Sequence, residues 1–418
     1  MLESLRRAWR LPDLRRRILF TVAMFFVFRV GTHVPVPGID ASVIERLFKE
    51  GTLFGLLDLF SGGALRTFSV FAMSVTPYIN ASIIMQLLTL VIPRLEDLAK
   101  EGEEGRKKIT QYTRYLTVVL ALIQAYGMTV GLRSAVINPT WGNFTIIALS
   151  LTAGTAFLMW LGEQITEKGI GNGISLLIFA GIVARLPAGA GSIGTYLAGG
   201  RISWFNLGLL VVVGAAAIAA VVWVNEGQRR LPVQYPKRVV GRRMYGGQSA
   251  HIPLRVNQAG VIPIIFASSL LTFPLTLATF IDRPWAVNFA NWFRMDRPLY
   301  LSTYAILVVF FTYFYTAIVF NPNDVANNIK KYGGFIPGLR PGKPTADYLT
   351  RVMNRVTLAG SLFLAVIAVM PYMMGTITNI PGLYFGGTAL LIVVGVALET
   401  MKQIEAHLVM RQYQGFLR

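Results

Sequence analysis

The sequence WFNLGLLVVVGAAAIAAVVWV occupies residues 204–224 and contains no charged side chain. The hydrocarbon core of a bilayer is about 30 Å thick, and an α-helix needs roughly 20 mainly apolar residues to cross it. A helix that is apolar on all sides is stable only when it is buried in a large protein or in a membrane. This segment therefore predicts a transmembrane helix.

Nine further apolar stretches of similar length lie on both sides of this one. The predicted spans are residues 17–34, 70–92, 114–132, 144–162, 174–196, 204–224, 258–280, 299–320, 356–375 and 384–401. The composition agrees, because 14% of the residues are charged, whereas soluble proteins average about a quarter. We predict an all-α polytopic membrane protein with ten transmembrane helices and both termini on one side.

The net charge of +19 is distributed unevenly about these spans. Of the 39 lysines and arginines, 29 belong to the side of the termini and the even-numbered loops, 9 belong to the opposite side, and Arg29 lies within the first span. Loops on the cytoplasmic side of a membrane carry the excess of Lys and Arg. The bias predicts cytoplasmic termini, and it accounts for the charge without DNA as a partner.

Two of the predicted cytoplasmic loops, residues 225–257 and 321–355, are long and mix basic residues with Tyr, Pro and Gly. Connections in compact proteins are usually much shorter. Their length favours docking surfaces for partners, although their charge alone fits solvated loops equally well.

An equal division of the spans gives an N-terminal half, residues 1–198, and a C-terminal half, residues 199–418. Because each half then has an odd number of spans, the two halves would be inverted relative to each other. Inverted repeats commonly enclose a pathway near the membrane centre. The division predicts such a pathway.

The segment LFGLLDLFSGGALRTFS, residues 53–69, is apolar but too short to span, and Ser61, Gly62 and Gly63 interrupt it. Apolar segments of this length are more often re-entrant or buried. Irregular backbone at membrane depth is tolerated only where protein or an aqueous cavity surrounds it. A short helix ending at the glycines, inside a cavity, satisfies both conditions. A helix lying on the outer membrane surface is the alternative.

Several kinds of chemistry are excluded or disfavoured by the residues themselves. The chain has no cysteine, and its three histidines, at positions 33, 251 and 407, are far apart. We find no Walker, GxSxG or HExxH motif, and we predict no cofactor, no metal site and no catalysis. Acidic residues are nearly absent from the span centres, which disfavours an ion-coupled transporter but leaves a solute facilitator open. A purely structural scaffold would not need the short interrupted segment.

An ordered series of motifs along the whole chain resembles the SecY family of protein-conducting channels, and its cytoplasmic loops resemble the bacterial branch. The motifs are VPVPGID (34–40), LFSGGAL (59–65), FAMSVTPYINASIIMQLL (71–88), EGEEGRKK (101–108), QYTRY (111–115), MWLGEQITEKGIGNGISLLIFAGIV (159–183), YPKRVVGRRMYGGQSAHIPLRVNQAGVIPIIFASS (235–269), YGGFIPGLRPGKPT (332–345) and FGGTALLIVVGVALE (385–399).

The resemblance implies a function. The channel of the Sec translocase passes unfolded secretory preproteins across the bacterial cytoplasmic (inner) membrane. It releases transmembrane segments into lipid through a lateral gate between spans 2 and 7. The expected partners are SecE, SecG, the SecA ATPase motor, the ribosome and signal sequences, together with anionic lipid. ATP hydrolysis is expected in SecA and not in this chain.

The resemblance also implies an hourglass pore and assigns residues to it. The ring residues at its constriction are Val75, Ile79, Ile178, Ile265 and Ile392. The plug helix, residues 56–66, includes Leu57, Phe60, Ser61, Gly62 and Gly63. The gate residues are Asn80, Gln86, Asn257 and Phe273, and the docking residues for SecA or the ribosome are Arg242, Arg243 and Arg340. The family more often has isoleucine at the position of Val75 and a smaller residue at that of Asn80. For Arg340, capping of carbonyl groups in its own loop is the alternative.

Overall fold

The structure, a computed structural model, is predominantly helical. It describes residues 6, 8–40, 42–44, 61–200, 203–235, 238–240, 243–245, 249–279, 284–293, 297–378 and 386–415. In the first half the helices are α1 (Pro12–Gly31), α2 (Thr76–Val91), α3 (Pro93–Lys100), α4 (Glu103–Gly131), α5 (Trp141–Lys168) and α6 (Gly173–Ala198). In the second half they are α7 (Trp204–Glu226), α8 (Ile262–Thr279), α9 (Pro284–Trp292), α10 (Pro298–Val319), α11 (Pro322–Lys331), α12 (Lys343–Thr378) and α13 (Gly386–Gly415).

Each predicted span coincides over most of its length with one of these helices, which confirms the helical fold. Length and apolar composition alone qualify five described segments to cross a membrane: α5, α6, α7, α12, and α10 together with α11. The bent pair α2 and α3, with 100° between its helices, would add a sixth. The multi-pass character is therefore clear, whereas the number of ten stays a prediction.

The span that decides the fold, α7, carries apolar side chains on its outside. Val211 and Val212 in its middle are 62% and 66% exposed. Trp204 begins the helix and Trp223 lies near its end, and both are more than 70% exposed. Nineteen residues of helix separate the tryptophans, about 28 Å, and tryptophan is enriched at both membrane–water interfaces. The surface of α7 thus fits direct contact with lipid.

The second predicted span begins later than expected, because residues 70–75 form turns and α2 starts at Thr76. Phe71 and Met73 in these turns are buried, and Ser74 has a φ of 53°. Pro77 lies in the first turn of α2, where proline favours the start of a helix. The apolar run thus consists of a buried turn followed by a helix.

Two antiparallel ribbons interrupt the helices in the predicted docking loop 225–257. Strand β1 (Gln228–Gln234) pairs with β4 (Ser249–Arg255), and β2 (Arg238–Val240) pairs with β3 (Arg243–Tyr245). In β1, Leu231 and Val233 are buried, whereas the residues around them are exposed. This alternation lets one face of the ribbon pack against other elements. The all-α prediction did not anticipate these ribbons.

The two long loops form one packed unit, which we call the loop unit: β1, β4, α11, the connection 332–342 and the first turns of α12. Its buried core contains Leu231, Val233, Leu254, Ala326, Ile329, Ile336, Ala346, Leu349 and Val352. Gln234 and Phe335 join the two loops by a reciprocal pair of backbone hydrogen bonds, both 2.9 Å. Because α12 continues from this unit into the bundle, the loop unit is continuous with the predicted ninth span.

The main buried core joins helices of both halves. It includes residues of α1, α2, α5 and α6 from the first half and of α7, α8, α10, α12 and α13 from the second. A second core lies within the first half, where Leu65, Phe68 and Met73 pack with α4 and α5. The turns after Ser61 thus lie inside the protein.

Candidate functional site

A cavity of about 490 Å³, which we call the central cavity, lies between helices of both halves. Ile79 of α2, Ile178 of α6 and Ile265 of α8 line its apolar part. Arg114 of α4 and Glu163 of α5 line its polar part. The cavity therefore combines an apolar wall with charged groups.

All five ring residues belong to the main buried core that joins the two halves. They come from four helices, with Val75 at the N-cap of α2 and Ile392 on α13. Their side chains are between 0% and 5% exposed. Aliphatic side chains offer no hydrogen bonds, and an apolar constriction excludes ions by dewetting.

Three of the predicted plug residues, Ser61, Gly62 and Gly63, are described, whereas Leu57 and Phe60 lie outside the described residues. The Ser61 side chain is fully buried, and its Oγ accepts a hydrogen bond from the backbone N–H of Leu65 at 3.2 Å. This described end of the segment is enclosed by protein, which disfavours an outer-surface position for it, whereas residues 53–60 lie outside the described residues.

Gly62 contacts two helices of the first half. The Arg29 Nη1 atom of α1 donates a hydrogen bond to the Gly62 carbonyl oxygen at 2.9 Å. A Cβ on Gly62 would come within 2.9 Å of the Cα atom of Gly181 in α6. Gly62 also has a φ of 67°, a conformation that glycine adopts without steric cost. The sequence analysis assigned no role to Arg29. A charged residue alone within an apolar span usually has a functional role, and this position could have been recognised in that way.

The predicted gate residues lie on or beside α2 and α8, which pack against each other. Asn80 is buried, and no partner is described for its Nδ2 atom. The Gln86 Nε2 atom donates to Ser82 within α2 at 3.4 Å. Phe273 is half-buried in α8. The described bond of Gln86 therefore lies within one helix and does not cross the gate.

Asn257 precedes α8 and fastens it to the end of α7. Its Nδ2 atom donates to Asn225 Oδ1 at 2.8 Å and to the Gly260 carbonyl oxygen at 3.0 Å. Lys402 of α13 donates to the carbonyl oxygen of Asn225 at 3.2 Å and forms an ion pair with Glu226 at 3.1 Å. These contacts join three helices of the second half where the loop unit meets α8.

The docking residues lie in the two long loops. Arg242 is outside the described residues, and Arg243 is described only as part of β3. Arg340 is exposed, and its carbonyl oxygen accepts a hydrogen bond from Thr345 Oγ1 at 2.8 Å. Within the described part of this loop its guanidinium makes no hydrogen bond, which disfavours the capping role.

A second cavity, of about 570 Å³, lies between the start of α1, the end of α5 and the C-terminal part of α13. Arg17, Lys168 and His407 are among its lining residues. None of the predicted site residues lines it, and we place no step of the proposed mechanism there. Among the described residues, no group of histidine and acidic side chains is arranged to hold a metal ion.

The fold and the central cavity define a helical, multi-pass membrane protein with a partly apolar, partly charged cavity between its two halves. The family model described as SecY matches residues 69–401. The protein translocase subunit SecY of Streptomyces galbus is 52% identical over the full length of both chains. The chain therefore belongs to the SecY family, as its motifs predicted.

Two solved structures share the fold. One concerns a plug domain of the SecY protein that stabilises the closed translocation channel and maintains a membrane seal. It matches with a TM-score of 0.67 and 18% identity, and covers 94% of this chain and 92% of that one. The other is canine Sec61 in a ribosome–channel complex from the endoplasmic reticulum. Its TM-score is 0.62 at 17% identity, with the same coverage.

Proposed function

We propose that the chain is the protein-conducting channel of a bacterial Sec translocase and that unfolded preproteins pass through its ring residues. One observation carries the proposal: three of the five ring residues line a cavity between the two halves that also has charged groups, and all five are buried in the core that joins the halves. A polypeptide of any sequence slides past side chains that form no hydrogen bonds. The same residues exclude ions when the channel is empty.

The plug seals the idle channel in this proposal. The Arg29 bond and the Gly181 contact hold its described end at Gly62. A charge-assisted hydrogen bond contributes about 1.5–3 kcal/mol. An arriving polypeptide displaces such an attachment by occupying the same space, and the seal re-forms when the chain has passed.

The lateral gate lies between α2 and α8. Hydrogen bonds between membrane helices contribute only about 0.6–2 kcal/mol each, and the described polar contacts of Gln86 and Asn257 lie on either side of the gate and not across it. An apolar signal helix that enters between α2 and α8 therefore breaks mainly apolar contacts. It replaces them with similar contacts of its own.

The loop unit is the docking surface for SecA and the ribosome. Arg340 is exposed on it, and the planar guanidinium of arginine pairs with carboxylates of a protein or phosphates of RNA. The Sec61 relative lies in a ribosome–channel complex. The remaining expectations belong to the same proposal: SecE and SecG as partner subunits, anionic lipid, the inner membrane, cytoplasmic termini, and ATP hydrolysis by SecA.

Reconstitution tests this proposal. The chain is placed with its SecE partner in vesicles, and SecA, ATP and a secretory precursor are added. We expect the precursor to become protected from protease with the wild type and with Lys108→Glu, an exposed charge reversal on α4 outside the loop unit. We expect Arg340→Glu to abolish protection. Equal protection with both variants would remove Arg340 from the docking surface. No protection by the folded wild type, together with uptake of a small solute, would favour the solute facilitator.

A further inference from the structure

We propose that Glu163 recognises the positively charged segment of an incoming signal sequence, and that Arg114 occupies its carboxylate when the central cavity is empty. The inference deepens the proposed function and rests on it. The ring and the gate account for passage and release of apolar segments, but neither recognises charge.

Arg114 and Glu163 form an ion pair across two neighbouring helices. The Arg114 Nε atom of α4 donates to Glu163 Oε1 of α5 at 2.8 Å. The Glu163 side chain is 20% exposed, and that of Arg114 is 49% exposed. Arg114 is thus the more solvated partner, and it leaves the pair at a smaller cost than a buried arginine would.

The pair lies beside the gate helix. Tyr78 of α2 lines the same cavity as Glu163 and Arg114. The ring residues Ile79 and Ile178 line it as well. A segment that enters between α2 and α8 therefore passes the carboxylate as its apolar part reaches the ring.

The charge of the cavity is opposite to that of the chain. Among its described lining residues the charged groups are Arg114, Glu163 and Glu167, which leaves one negative charge in excess. The whole chain carries +19. A cationic segment is repelled by the basic loops and attracted to this position, because a cleft with an excess of one sign of charge concentrates the opposite sign.

The chemistry of the substrate matches this arrangement. A secretory signal has a positively charged segment followed by 7–15 apolar residues. The apolar residues fit the wall formed by Ile79, Ile178 and Ile265, and a lysine or arginine replaces Arg114 at Glu163. The exchange conserves the ion pair, so recognition leaves no unpaired carboxylate in the cavity.

The test crosses channel variants with precursor charge in the same vesicles with SecA and ATP. One precursor has lysines before its apolar segment, and a second has glutamines at those positions. We expect Glu163→Gln to slow the initial rate for the lysine precursor by about two- to fivefold and to leave the glutamine precursor unchanged. We expect Arg114→Gln not to slow the lysine precursor. With Glu163→Asp, which keeps the carboxylate, we expect the lysine precursor to remain faster than the glutamine precursor.

The matched control is Glu96→Gln, which removes an exposed ion pair with Lys100 outside the cavity and is expected to change neither rate. If Glu163→Gln and Arg114→Gln slow both precursors equally, the pair is only structural and the inference is wrong. If the wild type transports neither precursor, the proposed function itself fails.

A second measurement does not depend on transport rates. Because the chain has no cysteine, Thr110→Cys provides a single thiol on the cavity wall. With an added thiol oxidant, a cysteine beside the lysines of a stalled precursor is expected to form a disulfide with the Thr110→Cys thiol, and Glu163→Gln is expected to reduce the yield. An unchanged yield would overturn the proposal even if the rates had changed.

Discussion

The hydrogen bond between the Arg29 guanidinium and the Gly62 carbonyl oxygen could not be predicted from the sequence. Motif resemblance supplied the glycines, and the charge count found Arg29 within a span. Neither could join two residues 33 positions apart in the chain. Only the packing of α1 and α6 against the turn brings these groups together.

Replacement of Gly62 tests the attachment of the plug. Gly62→Ala forces a methyl group against Gly181 at a φ of 67°, in addition to about 1–2 kcal/mol of backbone strain. We expect a lower unfolding temperature and a raised ion conductance of the idle reconstituted channel. Gly63→Ala is the control, because Gly63 has a φ of 95° and no atom within 4 Å of its Cβ position. Equal conductance in both variants would argue against the contact of Gly62 with Gly181 as the one that holds the plug.

The ring allows a second test at a single residue. Ile79→Ser places a hydroxyl group in the constriction, and we expect it to promote wetting and to raise the idle ion conductance severalfold. Ile83→Ser changes a residue of the same helix and the same buried cluster that does not belong to the ring. The two variants should lose similar stability, so conductance separates them. A leak of equal size through Ile83→Ser would place the constriction elsewhere.

Among the elements, hydropathy predicted the long helices better than the segments between them. The apolar run of α7 needs no tertiary information, because every side of that helix tolerates lipid. The run from Val70 to Met73 is as apolar, yet it forms turns, since a buried turn and a helix have the same hydropathy. The ribbon of β1 and β4 was not predicted either, because its stability depends on α11 and α12, which are distant in sequence.

The junction at Asn257 tests how α8 is fastened. Asn257→Ala removes both hydrogen bonds of the Nδ2 atom and leaves Asn225 Oδ1 and the Gly260 carbonyl oxygen without this donor. We expect a loss of about 1–3 kcal/mol of stability, measured as a shift in thermal unfolding. Asn328→Ala, at an exposed position of α11, should stay within about 0.5 kcal/mol of the wild type. Equal unfolding temperatures of the two variants would show that the hydrogen bonds of Asn257 do not stabilise the protein.

At the scale of the whole molecule, composition and charge predicted a multi-pass protein, and the motifs predicted its family. The inverted relation of the two halves and the count of ten spans stay predictions. The short helices explain why: α2 has 16 residues, about 24 Å of helix, less than the hydrocarbon thickness. Such a helix crosses only with help from its neighbours, and its own length does not decide its topology.

Thiol labelling tests the predicted orientation. In right-side-out vesicles, we expect an impermeant reagent to label Pro139→Cys, between α4 and α5, and to leave Lys331→Cys, at the end of α11, unlabelled until the membrane is opened. Both positions are exposed, so solvent access within the protein does not distinguish them. Labelling of Lys331→Cys but not of Pro139→Cys in sealed vesicles would contradict the topology that the positive-inside bias predicts.

The most direct test of the central claim is a disulfide between the ring and a polypeptide stalled during transport. Because the chain has no cysteine of its own, Ile178→Cys in the ring and Val211→Cys on the outer surface of α7 each provide one thiol. We predict that, with an added thiol oxidant, a stalled precursor with one cysteine in its translocating part forms a disulfide with Ile178→Cys and none with Val211→Cys. A disulfide with Val211→Cys would contradict passage through the ring. So would the absence of a disulfide with Ile178→Cys while only the leading part of the stalled precursor is protected from protease.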